Sequence, residues 1–133
     1  MKRSEWADEW YQRGKRELNA ATLLRQGGFW DACALMCQQA AEKVVKALWI
    51  DVKGSDAPRV HWVDRLAEQL GAPENVIDDA AILSADYSAA RYPAGGTFGP
   101  SGAFTEEDAD DRIGRAQSII TWAENHWEAN DGD

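Results

Sequence analysis

The chain has 133 residues, 44% of them hydrophobic, which suffices for the buried core of a single domain spanning residues 1–133. No apolar run approaches the roughly 18 residues that span a bilayer, and acidic residues follow Met1 closely, so the sequence predicts neither a membrane protein nor a secretory precursor but a cytoplasmic one. The net charge of −9 argues against broad attraction of nucleic acid by the field of the whole protein.

The charge is divided unevenly along the chain. Residues 1–53 carry nine Lys or Arg against seven Asp or Glu, whereas residues 54–133 carry five against sixteen. This asymmetry is compatible with a local basic face on the first part of the molecule, or with the association of unlike surfaces.

Two helices are predicted in the first half of the chain. From Ser4 to Arg25, apolar residues recur every three or four positions, and a close helix contact is expected at Gly14, because glycine in an exposed helix costs about 1 kcal/mol relative to alanine. A longer helix is predicted from Phe29 to Lys53. Its apolar stripe is too wide to pack on a single neighbour, so it is expected at the centre of the fold. Its polar residues are expected to face solvent or a partner subunit; they are Gln38, Gln39, Glu42, Lys43 and Lys46.

Three further helices are predicted in the second half. A short one contains the apolar residues from Val60 to Leu70, and a fourth helix extends from Glu74 to Ala90. A loop follows over residues 92–104. The last helix begins at Thr105, which with Asp108 resembles a capping box, and it gives way to a polar tail from about residue 129. In no segment do apolar and polar residues alternate as they do in a β-strand, so the predicted class is all-α.

The two cysteines, Cys33 and Cys37, lie four residues apart in the central helix, where they are expected to be core thiols. A disulfide or redox role stays open. A metal site would need His61 and His126, which lack the close ligand spacing of zinc sites, so no metal or cofactor is expected.

Three segments carry a family resemblance. Residues 34–48, ALMCQQAAEKVVKAL, resemble the central helix of the HEPN family, named for higher eukaryotes and prokaryotes nucleotide-binding. The segment His61–Leu66 is similar to the His-x-Leu start of the family's third helix, and Tyr87–Pro93 looks like its Tyr-x-x-x-Arg-Tyr-Pro corner. Together these marks cover the chain from roughly Trp6 to Trp127.

The resemblance implies an up-and-down helical bundle of four long helices plus one short helix. It also implies a homodimer, a frequent association with a minimal nucleotidyltransferase, and a link to nucleotides or RNA. In ribonuclease members of the family, an arginine is followed after four to six residues by a histidine, and the two copies meet across a dimer. The guanidinium stabilises charge on the phosphate, and the imidazole moves the proton of the attacking 2′-hydroxyl.

Arg91 matches the arginine of that pattern, but the corresponding later positions hold Gly96, Thr97 and Phe98. The catalytic pair is therefore incomplete. The resulting prediction is a HEPN-like interaction domain that is either non-catalytic or degenerate. It is expected to bind a nucleotide, RNA or a minimal nucleotidyltransferase near Arg91. The candidate ligand-binding residues are Arg91, Tyr92, Tyr87, His61, Lys46 and Lys43.

Each candidate residue also has a purely structural interpretation. Arg91 is able to form an ion pair with an acid such as Asp86, and His61 is able to form a hydrogen bond with a nearby backbone group. The lysines form either a weak phosphate-contacting strip that continues to Lys53 or a solvated face. The seven tryptophans are expected mostly in the core or an interface, although exposed rings are able to stack on bases.

Two other functions stay open. One is a metal-independent ribonuclease toxin of a toxin–antitoxin pair, for which His61 or His126 would have to approach Arg91 in space. The other is a structural oligomerisation subunit.

Overall fold

The computed structural model of the protein describes residues 1–92 and 104–130, which confirm the predicted all-α class: within these ranges the secondary structure is helical, without strands. The helices are α1 (Glu5–Gln26), α2 (Trp30–Lys53), α3 (Val63–Gln69), α4 (Glu74–Ala89) and α5 (Glu106–Ala129). Most of the predicted loop, including positions 96–98 at which the family pattern has its histidine, lies outside the described residues, as does the end of the polar tail.

Local sequence signals set most helix boundaries. The Ser4 hydroxyl accepts a hydrogen bond from the backbone N–H of Ala7 at the start of α1, and the predicted capping box of Thr105 and Asp108 opens α5. The third helix begins later than predicted, because Val60 precedes it and Trp62 is its N-cap. His61 therefore lies in the connection before α3 rather than in its first turn.

Helix α2 occupies the centre of the bundle, as its wide apolar stripe predicts, and packs against the four other helices. The close contact expected at Gly14 is confirmed. A Cβ atom there would lie 2.7 Å from Val44 Cγ2 and 2.9 Å from the carbonyl oxygen of Ala40, so only glycine lets α1 approach α2 this closely. Cys33 and Cys37 are fully buried free thiols in the same core, and the neighbouring Cys33 together with burial raises the pKa of Cys37.

One end of the bundle is fastened by hydrogen bonds among three helices. The Met1 amino group donates to the carbonyl oxygen of Trp127 at 2.9 Å, and both the Ser4 hydroxyl and the Trp127 indole N–H donate to Asp51. The start of α1 thus meets the ends of α2 and α5. Within the two described ranges, no helix is long and apolar enough to cross a membrane.

Candidate functional site

Three of the five polar residues of α2 are buried within the chain, so the prediction that they face solvent or a partner subunit is wrong for these three. Gln38 is completely buried, and Glu42 and Lys46 are 5% and 6% exposed. The reason is that the connection before α3 crosses this face of the helix, where Gln38 Nε2 donates to the carbonyl oxygen of His61 at 3.2 Å. Buried polar groups are normally paired, and these are.

Glu42 is the centre of the buried network. Its Oε1 accepts a hydrogen bond from Gln38 Nε2 at 2.9 Å and lies 2.9 Å from His61 Nδ1, while its Oε2 accepts from Lys46 Nζ at 3.1 Å. The Lys46 ammonium balances the carboxylate charge. Three elements of the chain are therefore fixed to one carboxylate: two neighbouring turns of α2 and the connection that carries His61.

This contact determines how the His61 ring is presented. A carboxylate only accepts hydrogen bonds, so Nδ1 carries the proton and, in the neutral imidazole, Nε2 is left as an acceptor. The ring also stacks on Tyr87 of α4, with centroids 4.2 Å apart and planes inclined by 14°. The His61 side chain is nevertheless 47% exposed, so a ring of fixed orientation reaches the surface.

Arg91 follows Tyr87 by one turn, at the end of α4, and is exposed. Its Cζ lies 4.8 Å from the centroid of the Tyr87 ring and 5.9 Å from that of Tyr92, whose side chain is also exposed. Arg91 and His61 therefore contact the same tyrosine. We call Arg91, Tyr87, His61 and Tyr92 the Arg91 corner.

The sequence leaves open which histidine lies nearer to Arg91, and in the fold it is His61, which contacts the same Tyr87 ring as Arg91. His126 lies on α5, where its ring contacts Trp122 and Asn130. It is fourteen residues beyond Arg112, which pairs with Asp86 near the end of α4. At 1.5 Å per residue, roughly 21 Å of helix separates His126 from that position.

The predicted pairing of Arg91 with Asp86 is wrong. Asp86 pairs instead with Arg112 of α5, at 2.6 Å. Residues five apart on a helix point about 140° away from each other, whereas residues four apart, such as Tyr87 and Arg91, are neighbours. Among the residues that the structure describes, no carboxylate lies within ion-pair distance of Arg91.

The lysines do not form the predicted exposed strip. Lys46 is buried against Glu42, Lys43 lies 2.9 Å from Glu17 of α1, and Lys53 lies over the ring of Trp49 at 5.5 Å. Lys46 is therefore a supporting residue of the buried network, not a surface contact for a phosphate.

Glu42 is the residue that sequence reasoning missed as part of the site. The available signal was its place in the QQAAEK run, with Gln38 and Lys46 one turn to either side. That spacing reveals the shared face of α2. It does not reveal that His61 covers this face, which depends on the path of the connection between α2 and α3.

The arrangement combines three chemical groups at one surface. The guanidinium supplies several N–H donors that suit an anion, the imidazole supplies a nitrogen of fixed direction, and the Tyr92 ring supplies an exposed aromatic face. Together they suit a ligand with a phosphate and an attached planar ring.

Comparisons with known proteins agree with this fold. A model of the HEPN domain matches residues 7–126. The chain is similar to the crystal structure of an archaeal HEPN homologue, with 29% identity, a TM-score of 0.73 and coverage of 95% of this chain and 98% of the other. It is similar to a protein from Thermus thermophilus, with 26% identity, a TM-score of 0.81 and coverage of 92% of this chain and 98% of the other.

A HEPN domain protein from Thermotoga maritima matches with 25% identity, a TM-score of 0.72 and coverage of 90% of this chain and 98% of that one. A search of curated protein sequences gives no match.

Proposed function

Since this chain belongs to the HEPN family, we propose that its Arg91 corner binds the phosphate of a nucleotide or of single-stranded RNA without cleaving it. The observation that carries the proposal is the shared contact of Arg91 and His61 with the Tyr87 ring, which ties an exposed guanidinium and a partly exposed, oriented imidazole to one aromatic side chain.

Each member of the corner has a separate task in this proposal. Arg91 donates hydrogen bonds to the phosphate oxygens, which a planar guanidinium is able to do in pairs. Tyr92, half-exposed at the same place, stacks on the base. His61 fixes the position of the Tyr87 ring from its neighbouring element, and Glu42 fixes His61 in turn.

The direct test measures binding of the uridine dinucleotide UpU and of ADP by isothermal titration, with the shift in melting temperature as a second readout. Arg91→Ala is expected to weaken binding about tenfold or more, because a charge-assisted hydrogen bond contributes roughly 1.5–3 kcal/mol. Arg16→Ala is the matched control, since Arg16 is an exposed arginine on α1 outside the site.

Equal affinities for the two variants would contradict the proposal. If neither ligand shifted the melting temperature of the unmodified protein, the structural oligomerisation role would be the better explanation.

A specific observation also favours the ribonuclease alternative. The family histidine is missing at positions 96–98, yet His61 reaches the Tyr87 ring from another part of the chain, and Glu42 holds its Nδ1. Nε2 is then available to take the proton of a 2′-hydroxyl. RNA cleavage in the presence of EDTA, lost in both Arg91→Ala and His61→Gln but kept in His126→Gln, would replace the binding proposal with this one.

The assembly is also a proposal. HEPN domains commonly dimerise, and we infer a homodimer for this chain, with a minimal nucleotidyltransferase as its candidate protein partner. Sedimentation equilibrium of the purified chain tests the dimer, and co-sedimentation with the nucleotidyltransferase tests the partner. A monomer at all concentrations would contradict the homodimer.

A further inference from the structure

Apart from the Arg91 corner, a concave site lies on the α1–α2 side of the molecule. The cavity measures about 240 Å³ and is lined by Trp6, Glu9, Trp10, Arg13 and Lys43. Sites for drug-sized ligands measure roughly 300–1,000 Å³, so this cavity suits a single ring system rather than a whole cofactor. We call it the Trp6 pocket.

The aromatic walls of the Trp6 pocket are held in place before any ligand arrives. The Trp6 side chain is about half exposed, yet its indole N–H donates to Asp56 Oδ1 at 2.8 Å, in the connection that follows α2. The rings of Trp6 and Trp10 stand perpendicular, at 89°, with centroids 6.2 Å apart. An exposed indole that is fixed in this way loses little side-chain entropy on binding, which favours stacking of a flat ligand.

The pocket lining contains the acidic residue Glu9 and two cations, of which one is able to meet an anionic group of the ligand. Arg13 is exposed, and within the described parts of the chain it has no carboxylate at ion-pair distance. Lys43 is held by Glu17, so its charge is already balanced. Arg13 is therefore the cation left to meet a phosphate, and it lies in the half of the sequence that carries the excess of basic residues.

The pocket is connected to the Arg91 corner through the buried network of α2. Lys46 Nζ lies 5.9 Å from the centroid of the Trp10 ring and 3.1 Å from Glu42, which contacts His61. Lys43 of the pocket is the residue next to Glu42 in α2. A continuous series of contacts therefore joins Trp10 to Tyr87 and Arg91, so the Trp6 pocket and the Arg91 corner adjoin the same buried network.

We propose that the Trp6 pocket is a second base subsite, which takes an unpaired base of the single-stranded RNA whose phosphate lies at Arg91. The inference rests on the proposed function of the Arg91 corner. Aromatic faces stack on bases of any sequence, and a nearby arginine pairs with the backbone. The subsite therefore adds affinity for longer strands without adding sequence preference.

The test compares two lengths of oligouridine, a dinucleotide and a decanucleotide, by titration at fixed salt. Trp6→Ala is expected to weaken decanucleotide binding by roughly five- to hundredfold, the range for loss of one base–aromatic stack, and to leave dinucleotide binding unchanged. Phe29→Ala is the control, because Phe29 is a similarly exposed aromatic residue at the opposite end of α2.

Two further variants keep the test decisive if Trp6→Ala folds poorly. Trp6→Phe retains an aromatic face and is expected to keep most of the decanucleotide affinity. Arg13→Ala is expected to weaken decanucleotide binding and to reduce the slope of log affinity against log salt, whereas Arg16→Ala leaves that slope closer to the original.

The outcomes separate the two proposals. Both proposals are supported if Arg91→Ala weakens binding of the dinucleotide and the decanucleotide while Trp6→Ala weakens binding of the decanucleotide only. Loss in Arg91→Ala with unchanged decanucleotide affinity in Trp6→Ala overturns the Trp6 subsite alone. If Arg91→Ala changes neither affinity while Trp6→Ala weakens the longer strand, the function proposed for Arg91 fails and the Trp6 pocket remains as a base site.

Discussion

Two arginine-containing regions beside α4 differ in how completely their charges are paired. In the first, Arg112 donates to Asp86 at 2.6 Å and to Asp111 at 2.8 Å, and Arg115 donates to Asp79 and again to Asp111, at 2.9 and 2.8 Å. We call this group the Arg112 cluster. In the second, the Arg91 corner, the guanidinium contacts aromatic rings.

The difference separates a structural role from a ligand-binding one. In the Arg112 cluster each guanidinium contacts two carboxylates, and Asp86 is only 4% exposed, so the group fastens α4 to α5. Burial raises the pKa of Asp86, and the Arg112 guanidinium opposes that rise. Beside the Arg91 corner, Glu42 and Lys46 form a buried ion pair, whereas Arg91 itself is exposed. A paired arginine stabilises the fold, whereas an exposed one has N–H donors left for a ligand.

The largest effect is expected from breaking the Arg112 cluster. Arg112→Met leaves the buried Asp86 carboxylate without its cation, which should lower the free energy of unfolding by roughly 3–5 kcal/mol at neutral pH. Urea denaturation measures this loss. The matched control is Arg115→Met, which should cost less because its partners Asp79 and Asp111 are more exposed.

The loss in Arg112→Met should depend on pH with a definite sign. Without the guanidinium, the folded-state pKa of Asp86 rises further above its unfolded value, so the native state binds this proton more tightly. The deficit is complete above the folded-state pKa of Asp86 in the variant, and it shrinks as the pH falls through that pKa toward the folded-state pKa in the unmodified protein. Equal losses in Arg112→Met and Arg115→Met, or a deficit that does not change with pH, would contradict this account of the cluster.

An intermediate effect is expected at the network that connects fold and site. Glu42→Gln removes the charge that balances the buried Lys46 and weakens the contact with His61. The free energy of unfolding should fall by about 2 kcal/mol, the order of a hydrogen bond to a charged group, and UpU affinity should fall several-fold. Calorimetry and titration measure the two quantities.

Glu17→Gln is the control for that experiment, since it removes the partner of Lys43 without touching His61. It should lower stability with little change in UpU affinity. If the two variants lowered UpU affinity equally, Glu42 would be a stability residue only.

Most of the fold is predictable from local patterns, and the central helix shows why. Its apolar stripe gives the position of α2 in the bundle, Gly14 gives the close α1 contact, and Thr105 with Asp108 gives the start of α5. Each signal is contained within a few turns of helix, where periodicity and capping chemistry act.

The site is less predictable because its contacts join distant parts of the chain. A polar row on a helix normally faces solvent, so nothing local indicates that Gln38, Glu42 and Lys46 are buried. The burial of Gln38 and Glu42 depends on the connection that brings His61 across α2, and Lys46 lies near Trp10 of α1. The pairing of Asp86 with Arg112 instead of Arg91 has the same origin, since Arg112 belongs to the distant helix α5. Local patterns therefore indicate single candidate residues, whereas the tertiary fold determines which of them lie together.

The smallest effect on stability is expected at Arg91. Substitution of this residue is the sharpest test of the difference between the Arg91 corner and the Arg112 cluster. Arg91→Ala removes an exposed side chain whose described contacts are two aromatic rings, and exposed cation–π contacts contribute about 0.5–1 kcal/mol. The free energy of unfolding should therefore fall by less than about 1 kcal/mol, well below the Arg112→Met loss. UpU affinity should nevertheless fall tenfold or more. A large loss of stability in Arg91→Ala would mean that this arginine, like Arg112, stabilises the fold. A small loss of stability with unchanged UpU affinity would mean that the exposed Arg91 side chain does not bind this ligand.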